Sequence, residues 1–340
     1  MHQWRATMEL PLSPARYRHW SRYHMYCRLR VALRHICHDH QSQVENGRRS
    51  AYLSLKRVPV SMPQSGRNEV TLLETMVLAV LQGLTEFVPI SSSAHLVLVP
   101  WLFAWKPHEL ALDTTLHLGT LAAVLGYFGG DVVRLAKGWA LTLWHPSKWG
   151  DPDSRLAWWI IVGTIPAAMI GYRFEHFFEE LFTQPYWVGF FLLITAALLT
   201  SCEKMSLGRK ELNAIGLMTA LGIGFAQAAA IAPGISRSGA TIAAAMLFGL
   251  KREASARYSF LLSIPIILGA GGLQLLKLYQ HGVLFASPTP YLVGFMLAAI
   301  TGYLCIHFLL LYLRKNSLYP FACYCALVGG IVLLSFLIRH

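Results

Sequence analysis

The chain has 340 residues, of which 55% are hydrophobic and only 14% are charged. Soluble domains carry about 25% charged residues, so this composition, with a mean hydropathy of +0.45, excludes an ordinary soluble domain. The six cysteines show no zinc-binding spacing and imply no disulfide framework. The net charge of +12 is spread unevenly along the chain.

Residues 1–68 hold 12 Lys and Arg against 3 Asp and Glu, a net charge of +9. They are rich in Arg and His and contain no long apolar run, which excludes a secretory signal, and their composition resembles a transit peptide. No recognition motif supports a nucleic-acid arm, so we expect no nucleic-acid partner. We interpret 1–68 as a basic, disordered N-terminal extension or the product of an upstream start codon, with Met62 as an alternative start, and 69–340 as the integral membrane domain.

Apolar segments recur from Leu72 to the C-terminus, many of them near the roughly 20 residues that a membrane-spanning helix needs. They fall at 72–88, 93–105, 112–130, 156–172, 186–202, 212–231, 240–250, 256–275, 291–313 and 318–338. The sequence therefore predicts an all-α polytopic membrane protein. The segments 72–88, 93–105 and 240–250 are short for spanning.

Two polar segments interrupt this apolar sequence. The first polar segment runs from Gln82 to His95, and the second runs from Gln227 to Thr241. Polar groups at membrane depth cost about 2.5–3.5 kcal/mol each on insertion scales, so they are functional candidates. Because non-helical backbone is tolerated at depth only inside protein or beside a water-filled cavity, we expect each segment to form the tip of a re-entrant helix hairpin.

The two polar segments echo each other, since in each a glutamine precedes a proline that is followed by two or three serines. The echo predicts two repeats, at about 70–203 and 211–338. Basic residues favour the cytoplasmic side for 131–155, 204–210, 251–257 and Arg314-Lys315, and acidic residues favour the outside for 173–184. This threading gives the repeats opposite topology, with both hairpin tips meeting near the midplane.

The second polar segment has the residue types that bind phosphate. Arg237 can direct two N–H donors at phosphate oxygens, although a structural ion pair would also explain it. Gly234 and Gly239 allow close backbone approach, and a helix N-terminus beyond them would face the anion. Candidate hydroxyl donors are Ser236, Ser238 and Thr241, of which Ser238 and Thr241 are equally plausible as helix caps.

The first polar segment supplies an acid, hydroxyls and a histidine. Glu86 and Gln82 share a helix face and are candidate ligands of a hard divalent cation, and Glu86 is alternatively a general base or the partner of a structural ion pair. We choose Ser92 as nucleophile with His95 as its base, and direct activation of water is the rival mechanism. Supporting candidates are the phosphate donors or caps Ser91 and Ser93, and the i, i+4 pair Asp113 and His117, where Asp113 is equally a cap.

These motifs resemble those of the undecaprenyl-diphosphate phosphatase family, the bacitracin-resistance membrane phosphatases. The first is similar to the family's [E/Q]-x-x-x-E pattern with a following Pro, Ser-rich and His stretch, and the second to its P-G-x-S-R-S-G-x-T pattern at 233–241. The stretch 112–120 also resembles a family segment, so the resemblance covers about 70–338. Gln82 stands where some members have Glu, which leaves one acid in that pair.

The resemblance implies hydrolysis of an undecaprenyl diphosphate to the monophosphate, which recycles the lipid carrier of peptidoglycan synthesis and confers bacitracin resistance. It also implies a divalent metal, Mg or Ca, and an active site open to the outer face of the bacterial cytoplasmic (inner) membrane. The expected partners are the polyprenyl diphosphate substrate, membrane lipids and, as one candidate assembly, a second copy in a homodimer. A transporter or lipid flippase is the rival function, because inverted repeats and broken helices are typical of transporters.

Overall fold

The described part of the chain is helical. The computed structural model describes residues 71–105, 110–182, 184–280 and 288–339, so the prediction about residues 1–68 lies outside the described residues. Within these ranges there are twelve α-helices and no β-strand. They are α1 (Leu72–Thr85), α2 (Ser92–Leu102), α3 (Leu110–Tyr127), α4 (Gly129–Trp144), α5 (Pro152–Arg173), α6 (Glu175–Phe182), α7 (Pro185–Met205), α8 (Leu217–Ala229), α9 (Arg237–Leu247), α10 (Arg252–Gln280), α11 (Pro288–Leu313) and α12 (Tyr319–Arg339).

Among the described helices, five are long and apolar enough to cross a membrane, namely α5, α7, α10, α11 and α12. A sixth span results if α3 and α4, which meet at an angle of 83°, are taken as one broken helix. Large hydrophobic side chains remain exposed on these helices, as expected for surfaces that face lipid. The prediction of an all-α polytopic membrane protein is confirmed.

Two stretches differ from the sequence-based expectation. Residues 131–155 and 173–184 lie between the apolar segments and therefore read as charged loops in the sequence, whereas the structure has most of helix α4 in the first and all of α6 in the second. In α4, the buried residues Leu135, Gly138 and Thr142 occupy one face. Arg134, Lys137 and Trp144 are exposed, so the apolar stripe of α4 is narrow and the helix has a low overall hydropathy.

Both polar segments form the tips of short helix hairpins. Helices α1 and α2 have 14 and 11 residues, and α8 and α9 have 13 and 11. At 1.5 Å per residue, even a helix of about 14 residues covers only about 21 Å of a hydrocarbon core of about 30 Å. The tips touch each other, because the Ser238 hydroxyl donates to the Val88 carbonyl oxygen at 3.2 Å.

Helices from each half of the chain pack against helices of the other half. Helices α1 and α3 both pack on α11, in the other half, and α8 and α10 both pack on α5. Helix α7 packs along α12, and α3 packs along α10. This reciprocal pattern is the one that two inverted repeats related by a pseudo-twofold axis produce, and it places both hairpin tips inside the bundle.

The segments with a basic excess lie at one end of the bundle. Arg257 donates to Asp131 at 2.9 Å, and Arg314 donates to Glu253 at 2.9 Å. The backbone N–H of Lys251 donates to the Lys210 carbonyl oxygen at 2.9 Å. These contacts join the four stretches that the charge pattern assigns to one side of the membrane.

Candidate active site

The centre of the site is the carboxylate of Glu86, which is 5% exposed. Its backbone N–H donates to the Gln82 carbonyl oxygen at the end of α1, so the two side chains share a helix face. Gln82 Nε2 donates to Glu86 Oε2 at 2.9 Å, and Ser92 Oγ donates to the same oxygen at 2.6 Å. The first polar segment therefore folds its acid, amide and serine into one hydrogen-bonded group.

Arg237 brings the second polar segment to this group. It is the first residue of α9, and its Nη2 donates to Glu86 Oε1 at 2.7 Å. Its Nη1 donates to the Ser259 carbonyl oxygen of α10 at 3.4 Å. Two residues 151 positions apart in sequence thus form one ion pair between the hairpin tips.

This ion pair is nearly enclosed, since the Arg237 side chain is 16% exposed and that of Glu86 is 5% exposed. Desolvation of two charges commonly cancels the Coulombic gain of a buried pair, so stability alone is a weak reason for placing one here. The pair is also adjacent to two helix N-termini that favour an anion. We interpret it as the polar core of a binding site rather than as a structural pair.

The N-termini of α2 and α9 both begin at the hairpin tips. Ser91 caps α2 by accepting from the Ala94 N–H at 3.3 Å, and Ser236 caps α9 by accepting from the Gly239 N–H at 3.1 Å. The remaining free N–H groups of a helix N-terminus carry a partial positive charge. Ser91 holds the left-handed φ of 71°, an uncommon conformation for a residue with a side chain and one that is frequent at functional sites.

The loop before α9 depends on close backbone packing. Gly234 has a φ of 105°, and a Cβ there would lie 2.5 Å from the Val188 carbonyl oxygen of α7. Thr195 of α7 fixes the same loop, because its hydroxyl donates to the Gly234 carbonyl oxygen at 3.0 Å and accepts from the Ser236 N–H at 3.0 Å. Only glycine fits position 234, where the chain is both left-handed and in contact with another helix.

The remaining hydroxyls connect the two tips. Ser93 Oγ lies 3.1 Å from Ser91 Oγ and 3.5 Å from the Gly234 nitrogen, which donates to it. Ser236 Oγ and Ser238 Oγ are 3.2 Å apart. Gly239 lies beside Pro89 of the first tip, 3.4 Å from Pro89 Cβ to a Cβ placed on the glycine. The predicted phosphate donors of both segments therefore line one junction.

Thr241 lies one turn into α9 and its hydroxyl is committed within the protein. It donates to the Arg237 carbonyl oxygen at 2.7 Å and lies 2.7 Å from Ser259 Oγ. The cap of α9 is Ser236, not Ser238 or Thr241. Thr241 thus stands behind Arg237 and supports the backbone from which the guanidinium extends.

His117 of α3 approaches the site from a third direction. Its Nδ1 donates to the Asp113 carbonyl oxygen at 2.8 Å, and its Nε2 lies 3.8 Å from Glu86 Oε2. The side chain of His117 is 34% exposed, so it lies at the open side of the site. The structure joins Asp113 to the site through this backbone contact with His117.

His95 points to a partner that the sequence did not indicate. Its Nδ1 donates to the Ser91 carbonyl oxygen at 2.7 Å, and its Nε2 lies 2.7 Å from the hydroxyl of Tyr324 in α12. Ser92 was expected to donate a hydrogen bond to His95, but it donates to Glu86 instead. In this geometry Glu86, not His95, is the proton acceptor nearest to Ser92.

A buried amide next to Glu86 supports a cation site. Gln82 is fully buried and its Oε1 has no hydrogen-bond partner. Within the described ranges there is no cluster of three or more His, Cys, Asp or Glu able to hold a metal ion. Mg²⁺ is commonly held by one or two protein oxygens together with substrate phosphate, so Gln82 and Glu86 fit an ion that the substrate itself completes.

Sequence analysis missed Thr195, Ser259 and Tyr324. Each lies in a long apolar helix and contributes a polar atom to a hairpin tip. Polar residues in apolar spans are the signal that could have found them. That signal is weak for Ser and Thr, because their hydroxyls often bond a carbonyl of their own helix, as Thr164 and Thr301 do here.

Comparison with known proteins identifies the family. Residues 75–331 match the family model described as bacitracin resistance protein BacA. The chain is 42% identical over 271 residues to an undecaprenyl-diphosphatase of Caldicellulosiruptor bescii, covering 79% of this chain and 99% of the relative. It is 44% identical over 270 residues to undecaprenyl-diphosphatase 2 of Stutzerimonas stutzeri, covering 78% and 98%. The resemblance inferred from the two polar segments is confirmed: the chain belongs to the BacA bacitracin resistance family.

Proposed function

We propose that this protein is a membrane enzyme that hydrolyses undecaprenyl, or another polyprenyl, diphosphate to the monophosphate and inorganic phosphate. The observation that carries the proposal is the cluster of Glu86, Ser92 and Arg237 at two facing helix N-termini. The names of the relatives supply the substrate class. In the cell this reaction recycles the lipid carrier of peptidoglycan synthesis and confers bacitracin resistance.

The terminal phosphate binds between the N-termini of α2 and α9. There the guanidinium of Arg237 directs two N–H donors at its oxygens, and the hydroxyls of Ser91, Ser93, Ser236 and Ser238 surround it. Preorganised donors of this kind stabilise charge that develops on the transferred phosphoryl group, and each is typically worth about 10²–10³ in rate. The prenyl chain remains among the apolar helices.

Ser92 attacks the terminal phosphorus while Glu86 accepts the hydroxyl proton, across the 2.6 Å hydrogen bond that already joins them. The new O–P bond forms as the bond to the bridging oxygen breaks, and polyprenyl monophosphate leaves. Glu86 then releases this proton to solvent, accepts another from the water that attacks the phosphoserine, and returns it to the Ser92 oxygen as phosphate leaves. The rival mechanism has Glu86 deprotonate water for direct attack, and rapid-quench trapping with ³²P-labelled substrate separates the two.

A divalent ion, Mg²⁺ or Ca²⁺, is part of the proposal. Glu86 and the unpartnered Oε1 of Gln82 would hold it together with diphosphate oxygens. When bound, it neutralises charge on the substrate and on the leaving group. The roles of Arg237 and Ser92 do not depend on its identity.

We place the enzyme in the bacterial cytoplasmic membrane, with the basic end of the bundle inside and the site open to the outer face. The distribution of basic residues supports this orientation. A homodimer is the proposed assembly, and mass measurement of the purified protein in detergent tests it.

The test of the function is phosphate release by the purified protein from undecaprenyl diphosphate, with and without EDTA. We expect release that requires a divalent ion. Glu86→Gln, His95→Ala and Arg237→Ala should each abolish turnover while the protein still elutes as a folded, monodisperse species. Movement of the lipid across vesicles without phosphate release would instead favour a flippase. Near-wild-type rates in all three variants would overturn the assigned roles.

A further inference from the structure

The tautomer of His95 follows from its two hydrogen bonds. A carbonyl oxygen only accepts, so the 2.7 Å contact with the Ser91 carbonyl oxygen places a proton on Nδ1. In the neutral ring Nε2 then carries a lone pair. The Tyr324 hydroxyl, 2.7 Å away, donates its proton to that lone pair.

The two contacts also fix the ring in space. His95 is 8% exposed, and the planes of its ring and the Tyr324 ring are within 9° of each other. The tyrosine comes from α12, at the far end of the chain, whereas His95 lies in α2. Both contacts are needed to fix the tautomer of the imidazole and the orientation of its plane together.

Helix α12 is held against the first hairpin at positions on both sides of this contact. Cys325 Sγ donates to the Pro89 carbonyl oxygen at 3.7 Å, and the Phe336 ring stacks on that of Trp101 in α2 at 5.8 Å. The packing of α12 on the first hairpin therefore places the Tyr324 hydroxyl beside His95. The hydrogen bond between them follows from the packing of the two helices.

We propose that Tyr324 is a positioning residue of the active site, whose hydroxyl holds His95 as the Nδ1-protonated tautomer so that the Nδ1–H fixes the Ser91 carbonyl oxygen at the start of α2. The proposal rests on the phosphatase function proposed above and adds a residue to it. Tyr324 thus acts through His95 on the backbone of the first tip, where Ser92 follows Ser91. Both ring nitrogens keep their hydrogen bonds, and the imidazole exchanges no proton during turnover.

The kinetic test is Tyr324→Phe, which removes the hydroxyl and keeps the ring. We expect kcat to fall about tenfold while KM is unchanged, because the loss of one such hydrogen bond changes a rate by about that factor. Tyr319→Phe is the matched control, since Tyr319 lies on the same helix and makes no hydrogen bond to the site; it should behave as wild type. A wild-type kcat in Tyr324→Phe, or an equal fall in both variants, would overturn the proposal.

A double variant separates positioning from a general loss of structure. If Tyr324 acts through His95, adding Tyr324→Phe to His95→Gln should cause no further fall in kcat. The residual kcat of both variants is measured by phosphate release at high enzyme concentration. A further loss equal to that in the wild-type background would mean that the tyrosine acts independently of His95.

A spectroscopic measurement tests the contact without relying on turnover. With ¹⁵N-labelled histidine and His95→Gln as the assignment control, His95 should show a protonated Nδ1 and a hydrogen-bonded, unprotonated Nε2. The Nε2 resonance should move in Tyr324→Phe and stay unchanged in Tyr319→Phe. A protonated Nε2 in wild type would overturn the inference, whereas a wild type that releases no phosphate but gives these resonances would overturn the proposed function alone.

Discussion

At the residue scale, the site is organised by the hydrogen bonds that the Glu86 carboxylate accepts. One oxygen accepts from Arg237, and the other accepts from Ser92 and Gln82. The same carboxylate therefore connects Arg237, the proposed anion-binding group, to Ser92, the proposed nucleophile. A substrate phosphate that draws the guanidinium toward itself leaves Glu86 Oε2 bonded to Ser92, which is the arrangement that proton transfer needs.

Arg237→Lys tests whether geometry or charge alone matters. Lysine keeps the positive charge but offers a point charge in place of two directed donors, so kcat/KM should fall by about 10²–10³. Phosphate release over a range of substrate concentrations measures it.

Arg314→Lys provides the control for that substitution. Arg314 donates a hydrogen bond to Glu253 at the basic end of the bundle, and this hydrogen bond raises the pKa of Arg314. The variant should have wild-type kinetics. Equal activity in both variants would show that phosphate binding at Arg237 needs only a charge.

At the element scale, close packing between helices sets the positions of the tips. Helix α7 supplies Thr195 to the second tip, and α12 supplies Tyr324 to His95. These two helices meet at a pair of glycines, where a Cβ on Gly329 would lie 2.7 Å from the Gly189 carbonyl oxygen. Contact between small residues lets membrane helices approach closely, so this crossing fixes two site residues at once.

Gly329→Ala should therefore destabilise the protein by about 1–3 kcal/mol, because the added methyl group meets backbone that has no room to move. Thermal unfolding in detergent, followed by tryptophan fluorescence, measures the change. The neighbouring Gly330 has open space around it, and Gly330→Ala should be neutral or slightly stabilising. A lower unfolding temperature for Gly330→Ala than for Gly329→Ala would contradict this account of the crossing.

Helix α4 should lie along the membrane surface, since it turns 83° away from α3 and carries Arg134 and Lys137 on its exposed face. In a background without native cysteines, Gly130→Cys and Lys137→Cys should both react with an impermeant maleimide only after the vesicles are permeabilised. Ile300→Cys, exposed at the middle of α11, should stay unreactive in lipid. Reaction in intact right-side-out vesicles would reverse the proposed orientation.

At the scale of the whole molecule, neither half of the chain contains the site. The first half provides Gln82, Glu86, Ser92 and His95, and the second provides Arg237 and Tyr324. All described residues belong to one unit, Asn68–His340, and the family match begins at residue 75. The active unit should therefore extend from the first hairpin to α12.

A shortened chain that begins at Met62 should release phosphate at the same rate as the full chain, because every proposed site residue lies from Gln82 onward. The two lengths should be compared as purified proteins, each with a Glu86→Gln variant to give the background rate. Loss of activity in the shortened chain, with unchanged elution and unfolding temperature, would assign a role to residues 1–61.

The sequence by itself determined the class of protein and identified the two polar segments as candidate sites. Both follow from a local property, the cost of placing polar groups in lipid, which is high enough to mark Glu86 and Arg237 in one sequence. Only the tertiary structure decided which groups are partners. Ser92 meets Glu86 rather than His95, and His95 meets Tyr324, 229 residues away, because helix packing between the repeats sets these distances. The sequence alone did not predict the surface helix α4, because its charged residues resemble those of a loop. Only its packing against α3 and α5 defines which face is buried.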